Sequence, residues 1–473
     1  MKRIFSLGRF MLFALIVIMT ATSCGTQKKT EKTQNPDFQM QEPPQGMPPM
    51  MGQNGNPPQG MPPGGMMGGG NFDVKQLKAA ISLSDGELVK QDTSIVATES
   101  NQSAVLASSK AKISIRNSKI ETSGNTTSQE SSSFQGLNAG VLGRDESEIK
   151  LSRNTIETTG EGANGVFAYG KSVIYSDSDV INCTAGGGHG IMCSGGGTIH
   201  ATNVDITTAG RNSAAVATDR GSGVITVDKG KILTKGSDSP AFYSTGKLIV
   251  SNVDAESTGS EMVVIEGSNL VQITNSKLRC TYPKKWGAMI YQSFSGDAEG
   301  ADGEFKMENS SFEYTDAASP LFFVTNSTAY ITLKNDEIKC ASGILLNAAS
   351  SRWGQSGSNG GVAVLKIDSQ KLDGVLNADQ NSQIKLSLSN QSVLNGAING
   401  ANSAKFVSVV LDENSQWNVT SDSYVTEIKA HFDGDNVLNV TGNNHTVYYN
   451  TAKNPDLNGK TYHLQGGGEL KAI

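Results

Sequence analysis

Charged and aromatic side chains are both scarce in this 473-residue chain, at 18% and 6%. So few large rings argue for a thin aliphatic core. A net charge of −6, with no Lys/Arg run beyond the first residues, leaves no basic footprint for nucleic acid. Histidine is rare as well: His189, His200, His431, His445 and His463 show no metal-ligand spacing, and no serine or cysteine nucleophile motif is present. Cysteine use is limited to Cys24, Cys183, Cys193, Cys280 and Cys340. Glycine is abundant instead, with 53 residues, which suits many tight turns.

The N-terminus points to a compartment. Lys2, Arg3 and Arg9 precede an apolar run from Phe10 to Met19, and Ala21-Thr22-Ser23-Cys24 follows. The run is too short for a stable transmembrane helix. The segment resembles a bacterial lipoprotein signal peptide, which implies cleavage before Cys24 and acylation of its thiol. Gly25 rather than Asp after Cys24 argues, by the same resemblance, against retention in an inner membrane. The expected location is a lipid-anchored position in the cell envelope, at the outer membrane, with either face open. Residues 24–71 then change to Lys, Gln, Pro, Gly and Met, and Pro43-Pro44-Gln45-Gly46-Met47-Pro48-Pro49 is echoed by Pro57-Pro58-Gln59-Gly60-Met61-Pro62-Pro63. Such a stretch buries almost nothing and reads as a disordered tether, with a reach of about 40 Å.

From residue 72 onward a repeat is present: two apolar residues one apart, then an apolar anchor five positions later. It reads Ile113-x-Ile115…Ile120, Ile149-x-Leu151…Ile156, Val173-x-Tyr175…Val180, Ile199-x-Ala201…Ile206, Ile225-x-Val227…Ile232 and Leu248-x-Val250…Ala255. It continues as Val271-x-Ile273…Leu278, Phe305-x-Met307…Phe312, Ile331-x-Leu333…Ile338, Leu365-x-Ile367…Leu372 and Leu386-x-Leu388…Val393, with a slipped copy ending at Trp417. The basal unit is about 21–26 residues with three longer steps, too small to own a core, so units must stack. A second apolar cluster per unit, such as Val166-Phe167 or Val263-Val264-Ile265, supplies another short strand. The expected fold is all-β: one right-handed parallel β-helix of about 12–14 coils over 72–420, with the last coils and a cap in 421–473. The signal peptide (1–23) and tether precede it. Twelve coils at about 4.8 Å make a rod near 60 Å.

Three residues before the final anchor stands a polar residue, most often Asn: Asn117, Asn203, Asn252, Asn275, Asn309, Asn335, Asn390 and Asn414, with Asp177 in one coil. Asn tolerates a left-handed corner and can stack its amide on copies above and below, so an asparagine ladder is expected. Cys280 and Cys340 hold equivalent places two coils apart, about 10 Å, beyond disulfide reach. Cys183 and Cys193 read as buried thiols in preference to a bonded pair.

Coils such as Asn212 to Val227 and Ser257 to Asn269 resemble large bacterial extracellular β-helix repeat proteins described as adhesin-like, and the fold resembles pectate-lyase-type β-helices. A lipid-anchored or secreted tether before such a solenoid also resembles acidic-polysaccharide-binding β-solenoid modules that hold calcium. Two enzyme readings arise. Gly188-His189-Gly190 is similar to an element of pectin-hydrolysing β-helix enzymes, but the paired aspartates and the Arg-x-Lys that accompany it there are missing. A calcium-dependent lyase would need stacked carboxylates; in the outward row Lys119, Thr155, Asp179, Asp205, Lys231, Asp254, Lys277, Ser311, Glu337 and Lys371, only Asp179 over Asp205 forms a like-charged acidic pair.

Two of the long steps share a corner when Ala288-Met289-Ile290 is aligned with Ile344-Leu345-Leu346. The first insertion is aromatic then acidic, with Tyr291 and Phe294 before Asp297, Glu299 and Asp302; the second carries Arg352, Trp353 and Gln355, and Trp286 lies just upstream. Trp286, Tyr291, Phe294, Arg352, Trp353 and Gln355 are the expected sugar-binding residues, with Asp297, Glu299 and Asp302 as possible calcium ligands. The plainer reading is that these loops only cover the solenoid. The expected function is a non-catalytic envelope lipoprotein that binds polysaccharide or another cell-surface partner. The alternatives are a β-helix lyase or hydrolase, and a structural or protein-adhesive rod.

Overall fold

The structure, a computed structural model, describes Val74 and residues 77–473. Cys24, the signal peptide and nearly all of the tether lie outside the described residues. Those that are described form a parallel β-solenoid of about 16 turns. Twelve parallel strands, from Lys78–Leu83 to Val375–Ala378, make a first sheet. A second sheet runs from Glu87–Gln91 to Glu427–Lys429, and most of its turns bend at a corner into two segments. A third sheet, beginning at Lys371–Asp373, continues the outer segment toward the C-terminus. There the pairs Phe432–Asp433 with Asn436–Thr441, and Tyr462–Gln465 with Glu469–Ala472, run antiparallel.

The apolar alternation creates this stack because a strand's side chains switch faces at every residue. Ile113, Ile149, Ile174, Ile199, Ile225 and Leu248 lie in one register column. Val271, Phe305, Ile331, Leu365, Leu386 and Val409 continue it, and all twelve belong to one continuous core.

Two steps of the sequence frame are displaced by one residue. Ile174, Ser176 and Ile181 point inward where Val173, Tyr175 and Val180 were expected; Tyr175 and Val180 are exposed. Both faces of that strand are apolar, so alternation alone could not choose. The Ser176 hydroxyl, which donates to Asp179 Oδ2 at 2.6 Å, makes its inward place tolerable. In the same way Leu394, rather than Val393, stacks between Leu372 and Trp417. The solenoid is also longer than the expected 12–14 coils. Its first rung, Leu88-x-Lys90…Ile95, was concealed by a lysine on the inward side. In 421–473, the segment assigned to the last coils and cap, parallel pairing runs as far as Glu469–Ala472.

The asparagine corner is present, but its chemistry differs from a stacked-amide ladder. Asn117, Asn203, Asn252, Asn275, Asn309, Asn335 and Asn390 have φ between 47° and 57°, and Arg153, Ser178, Lys229 and Ser369 take the same conformation in other turns. Asn414 does not. These asparagines are exposed, and only Asn335 Nδ2 to Asn309 Oδ1, 2.7 Å, joins two of them. Their contribution is the left-handed bend itself.

The residue just after the bend turns inward and carries the real ladder. Ser118 Oγ accepts from Thr93 N, Asn154 Oδ1 from Ser118 N at 3.0 Å, and Asp179 Oδ1 from Asn154 N at 2.6 Å. Further on, Ser276, Ser310, Asp336, Gln370, Ser392 and Ser415 each accept the N–H of the matching residue one turn earlier, at 2.5–3.2 Å. Asp179 is therefore fully buried and is no partner for Asp205 on the surface.

Asn154→Ala leaves the Ser118 N–H buried without an acceptor and is expected to cost about 1–3 kcal/mol in urea unfolding. A second expectation concerns pH. Burial pushes the Asp179 carboxyl up to about 6 from an ordinary 3.8, against hydrogen bonds from Ser176 and Asn154 that favour the anion. The native state thus holds this proton more tightly than the unfolded chain. Its contribution is complete below about pH 4 and is lost as the pH rises through about 6. Asp179→Asn keeps an acceptor for Asn154, cannot ionise, and should flatten the change in unfolding midpoint across that range.

Candidate functional site

The outer face of the first sheet is the part of the solenoid that is not repetitive. Its outward side chains form two apolar patches, and three insertions lie over them. The first patch contains Leu106, Leu142, Phe167, Met192 and Ala217. The first insertion carries a short helix, α1 (Gln129–Gln135), started by Ser128, whose Oγ accepts from Ser131 N, and stopped by Gly136 at φ 73°. Ser194 Oγ donates to Phe134 O at 2.6 Å and Arg144 Nη1 to Gln135 O at 2.9 Å, which ties the insertion to the sheet.

The second patch contains Val264, Met289 and Phe323, with Trp286, Tyr291, Ala349 and Trp353 packed against it. Trp286 stacks on Phe323 with centroids 4.3 Å apart and planes 7° from parallel. Tyr291 meets Trp353 at 5.3 Å, joining the two later insertions. The Arg352 guanidinium lies 4.6 Å from the Trp353 ring centre. Asn359 Nδ2 donates to the carbonyls of Ser351 and Trp353, at 2.6 and 2.7 Å, and closes the last insertion.

These insertions do share a corner, but the alignment behind that expectation was displaced by two: Ala288 stacks on Phe322, which stacks on Leu346, and a bulge interrupts Ile344 to Leu346. Of the expected sugar-binding residues, Trp286, Tyr291 and Trp353 converge on the second patch and keep partial exposure. Arg352 and Gln355 are exposed, and Phe294 is 54% exposed on the second insertion. Asp297, Glu299 and Asp302 are not drawn into one cage: Asp297 faces Arg220, while Glu299 and Asp302 lie in solvent. Among the described residues no group of three or more His, Cys, Asp or Glu is gathered to hold a metal ion.

Beneath the second insertion is a polar junction that the sequence reading missed. Glu266 is buried and accepts from Tyr243 OH at 2.8 Å, Tyr291 OH at 2.7 Å, Ser295 Oγ at 3.1 Å and the Ser293 hydroxyl. Arg220 gives Asp297 Oδ1 two hydrogen bonds, 3.1 Å from Nε and 2.8 Å from Nη2. Its guanidinium carbon lies over the Phe134 ring, 3.8 Å from the ring centre, and Nη1 is 3.5 Å from Glu130. One side chain therefore clasps the first insertion to the second. Asp219, beside it, is pushed well above the usual carboxylate range by burial and then by the charges of Asp297 and Glu266. Burial, followed by the Glu266 charge, likewise raises the Tyr243 and Tyr291 phenols. The available signal was Glu266 itself, a carboxylate ending the apolar run Val263-Val264-Ile265.

Elsewhere the chemistry is structural. His189 Nδ1 accepts from Ala214 N at 3.0 Å while His189 N donates to Asn164 Oδ1 at 2.8 Å; burial lowers its pKa to about 4. It is a neutral member of a second corner ladder and cannot serve as a solvent-facing acid. Cys183, Cys193, Cys280 and Cys340 are free thiols, and burial pushes Cys183 up to about 11 and Cys280 to about 12. On the second sheet, two open grooves of about 310 and 210 Å³ share Asp254. Opposite charges alternate across them, with Arg279 bridging Glu256 at 2.6 Å and Glu313 at 3.3 Å.

No protein-family model matches the chain, and neither does any curated protein or solved structure. The class is therefore defined by the fold alone: a parallel β-solenoid with one flank covered by insertions.

Arg220→Ala removes both hydrogen bonds to Asp297 and the stacking on Phe134. An unfolding cost of about 1–3 kcal/mol is expected, and limited proteolysis should cut faster between Tyr291 and Asp302.

Proposed function

We propose that this protein is a non-catalytic envelope lipoprotein, anchored through Cys24, whose insertion-built flank binds polysaccharide. The observation that carries the reading is the pair of aromatic side chains that the two later insertions leave accessible: exposed Phe294, and half-buried Trp353 tilted against Tyr291 with Arg352 over its ring. Aromatic faces take the C–H side of a sugar, and the neighbouring guanidinium and amide groups of Arg352 and Gln355 reach its hydroxyls. Preorganised rings on a rigid stack bind without the cost of ordering a loop.

Binding is favoured over catalysis by the state of the carboxylates. Glu266 already accepts from four hydroxyls, and Asp297 is held by Arg220, so neither is poised to exchange a proton with a substrate. The covering role of the loops is compatible with this, since it orients the same rings.

The test is glycan-array binding by the full chain, with and without calcium, followed by a product assay on any polysaccharide bound. Phe294→Ala and Trp353→Ala should each weaken binding about tenfold, or 1.4 kcal/mol, with no new reducing or unsaturated ends. Undiminished binding in both variants, or release of products, would overturn the reading.

A further inference from the structure

Continuing the register of the first sheet past its strand ends places Asp219, Thr245 and Glu266 in one outward column, because Ala217, Tyr243 and Val264 stack two residues before them and Glu266 stacks on Tyr291 in the next turn. Adjacent rungs are about 4.8 Å apart, so Thr245 sits between two carboxylates. Thr245 is 2% exposed, yet its Oγ1 has no hydrogen-bond partner. A buried hydroxyl left unpaired is costly unless something else supplies the bond. Two further acceptors beside it are open. Asp219 takes one bond, from Arg220 N to Oδ1 at 2.7 Å, which leaves Oδ2. Both bonds from Arg220 to Asp297 end on Oδ1, which leaves Oδ2 there as well. Asp219 and Asp297 are partly exposed, and the Thr245 hydroxyl lies covered beneath them.

The charge is unbalanced in one direction. Asp219, Glu266 and Asp297 are three carboxylates beside the single guanidinium of Arg220, and Glu130, Glu299 and Asp302 lie exposed on the same flank. Burying carboxylates without enough counter-charge is unfavourable, and the raised proton affinity of Asp219 is how the free protein relieves it. A bound cation would relieve it in the same manner. A metal ion would need at least three gathered ligands, which are not in place. A primary ammonium needs only acceptors for its three N–H donors, and Asp219 Oδ2, Asp297 Oδ2 and Thr245 Oγ1 are three.

We propose that Asp219, Thr245 and Asp297 form a subsite for a protonated amine, and that the polysaccharide taken by this flank is therefore an amino glycan carrying free ammonium groups, not an acidic one. This rests on the polysaccharide-binding reading above and adds the charge class of its ligand. Arg220 is a positioning residue: it holds Asp297 over the column and donates nothing to the ligand.

The experiment compares the full chain by calorimetric titration with glucosamine oligomers, their N-acetylated counterparts, polygalacturonate and calcium alone, at near-neutral pH and low ionic strength. Glucosamine oligomers should bind about tenfold or more tightly than the N-acetylated ones, with the difference shrinking as salt is raised. Asp219→Asn and the nearly isosteric Thr245→Val should each bring the two oligomers toward equal affinity, with the melting temperature checked to show that the fold persists. Equal binding of both oligomers by the unaltered protein overturns the amine subsite while leaving the polysaccharide reading intact. Preference for polygalacturonate overturns the subsite in the same way, as does calcium binding that Asp219→Asn abolishes. No glycan binding of any kind overturns both.

Discussion

Each turn of this solenoid must bend sharply without stranding a backbone N–H, and the rest of the structure depends on how that is done. A left-handed residue makes the corner, and the amide after it is then satisfied by an inward side-chain oxygen of the next turn. Ser118, Asn154 and Asp179 show the device at one end of the stack, and Ser276 through Ser415 show it over the second half. Between them Val204, Gly230 and Val253 occupy the same inward place. There the backbone pairs directly through the bend, in the long strands Gly197–Thr208, Gly223–Thr234 and Lys247–Ser257. Gly230 is required in that geometry, since a Cβ would fall 1.9 Å from the Val204 carbonyl oxygen. With the corners satisfied, the apolar columns hold their register and one core runs the length of the stack.

The fold was legible because stacking turns a chemical requirement into a repeat. Apolar anchors at a fixed spacing, and Asn at the same offset, identify a parallel solenoid with no need for long-range information. The misplacements share a cause. At Val173 to Val180 both faces of a strand are apolar, and at Val393-Leu394 two adjacent residues would each serve; periodicity cannot separate such options, and the winner was fixed by Ser176 and Asp179. The inward ladder was written in the sequence as Asn117-Ser118, Asn275-Ser276, Asn309-Ser310 and Asn335-Asp336. It was read through its first member, the exposed one, although the buried second member makes the inter-turn bonds.

The flank was only half legible for a different reason. That Tyr291 and Trp353 meet follows from counting turns, since both leave the stack at one corner. The junction of Asp219, Arg220, Glu266 and Asp297 does not follow, because it combines two ordinary rungs with a loop that crosses over them. No spacing in the chain says where residue 297 lands relative to residue 220. The first insertion added a further surprise: it enters from the opposite edge of the same sheet, and Arg220 meets it there through Phe134 and Glu130.

A solenoid assembled from near-identical turns presents near-identical surfaces, so recognition has to come from whatever breaks the repetition. The second sheet keeps its repeat and shows alternating charges that pair with each other. The first sheet breaks it three times, and all three breaks lie over one face. Glu266 explains why the covering loops can be rigid despite their polar sequence: Ser293 and Ser295 donate to a carboxylate that the sheet holds fixed, as do the two tyrosines below the aromatic patch. A buried charge with four donors is stable only if every donor stays in place. The carboxylate that organises the junction thus also orients the Tyr291 ring against which Trp353 rests, and the polar and aromatic halves of the flank form one mechanical unit.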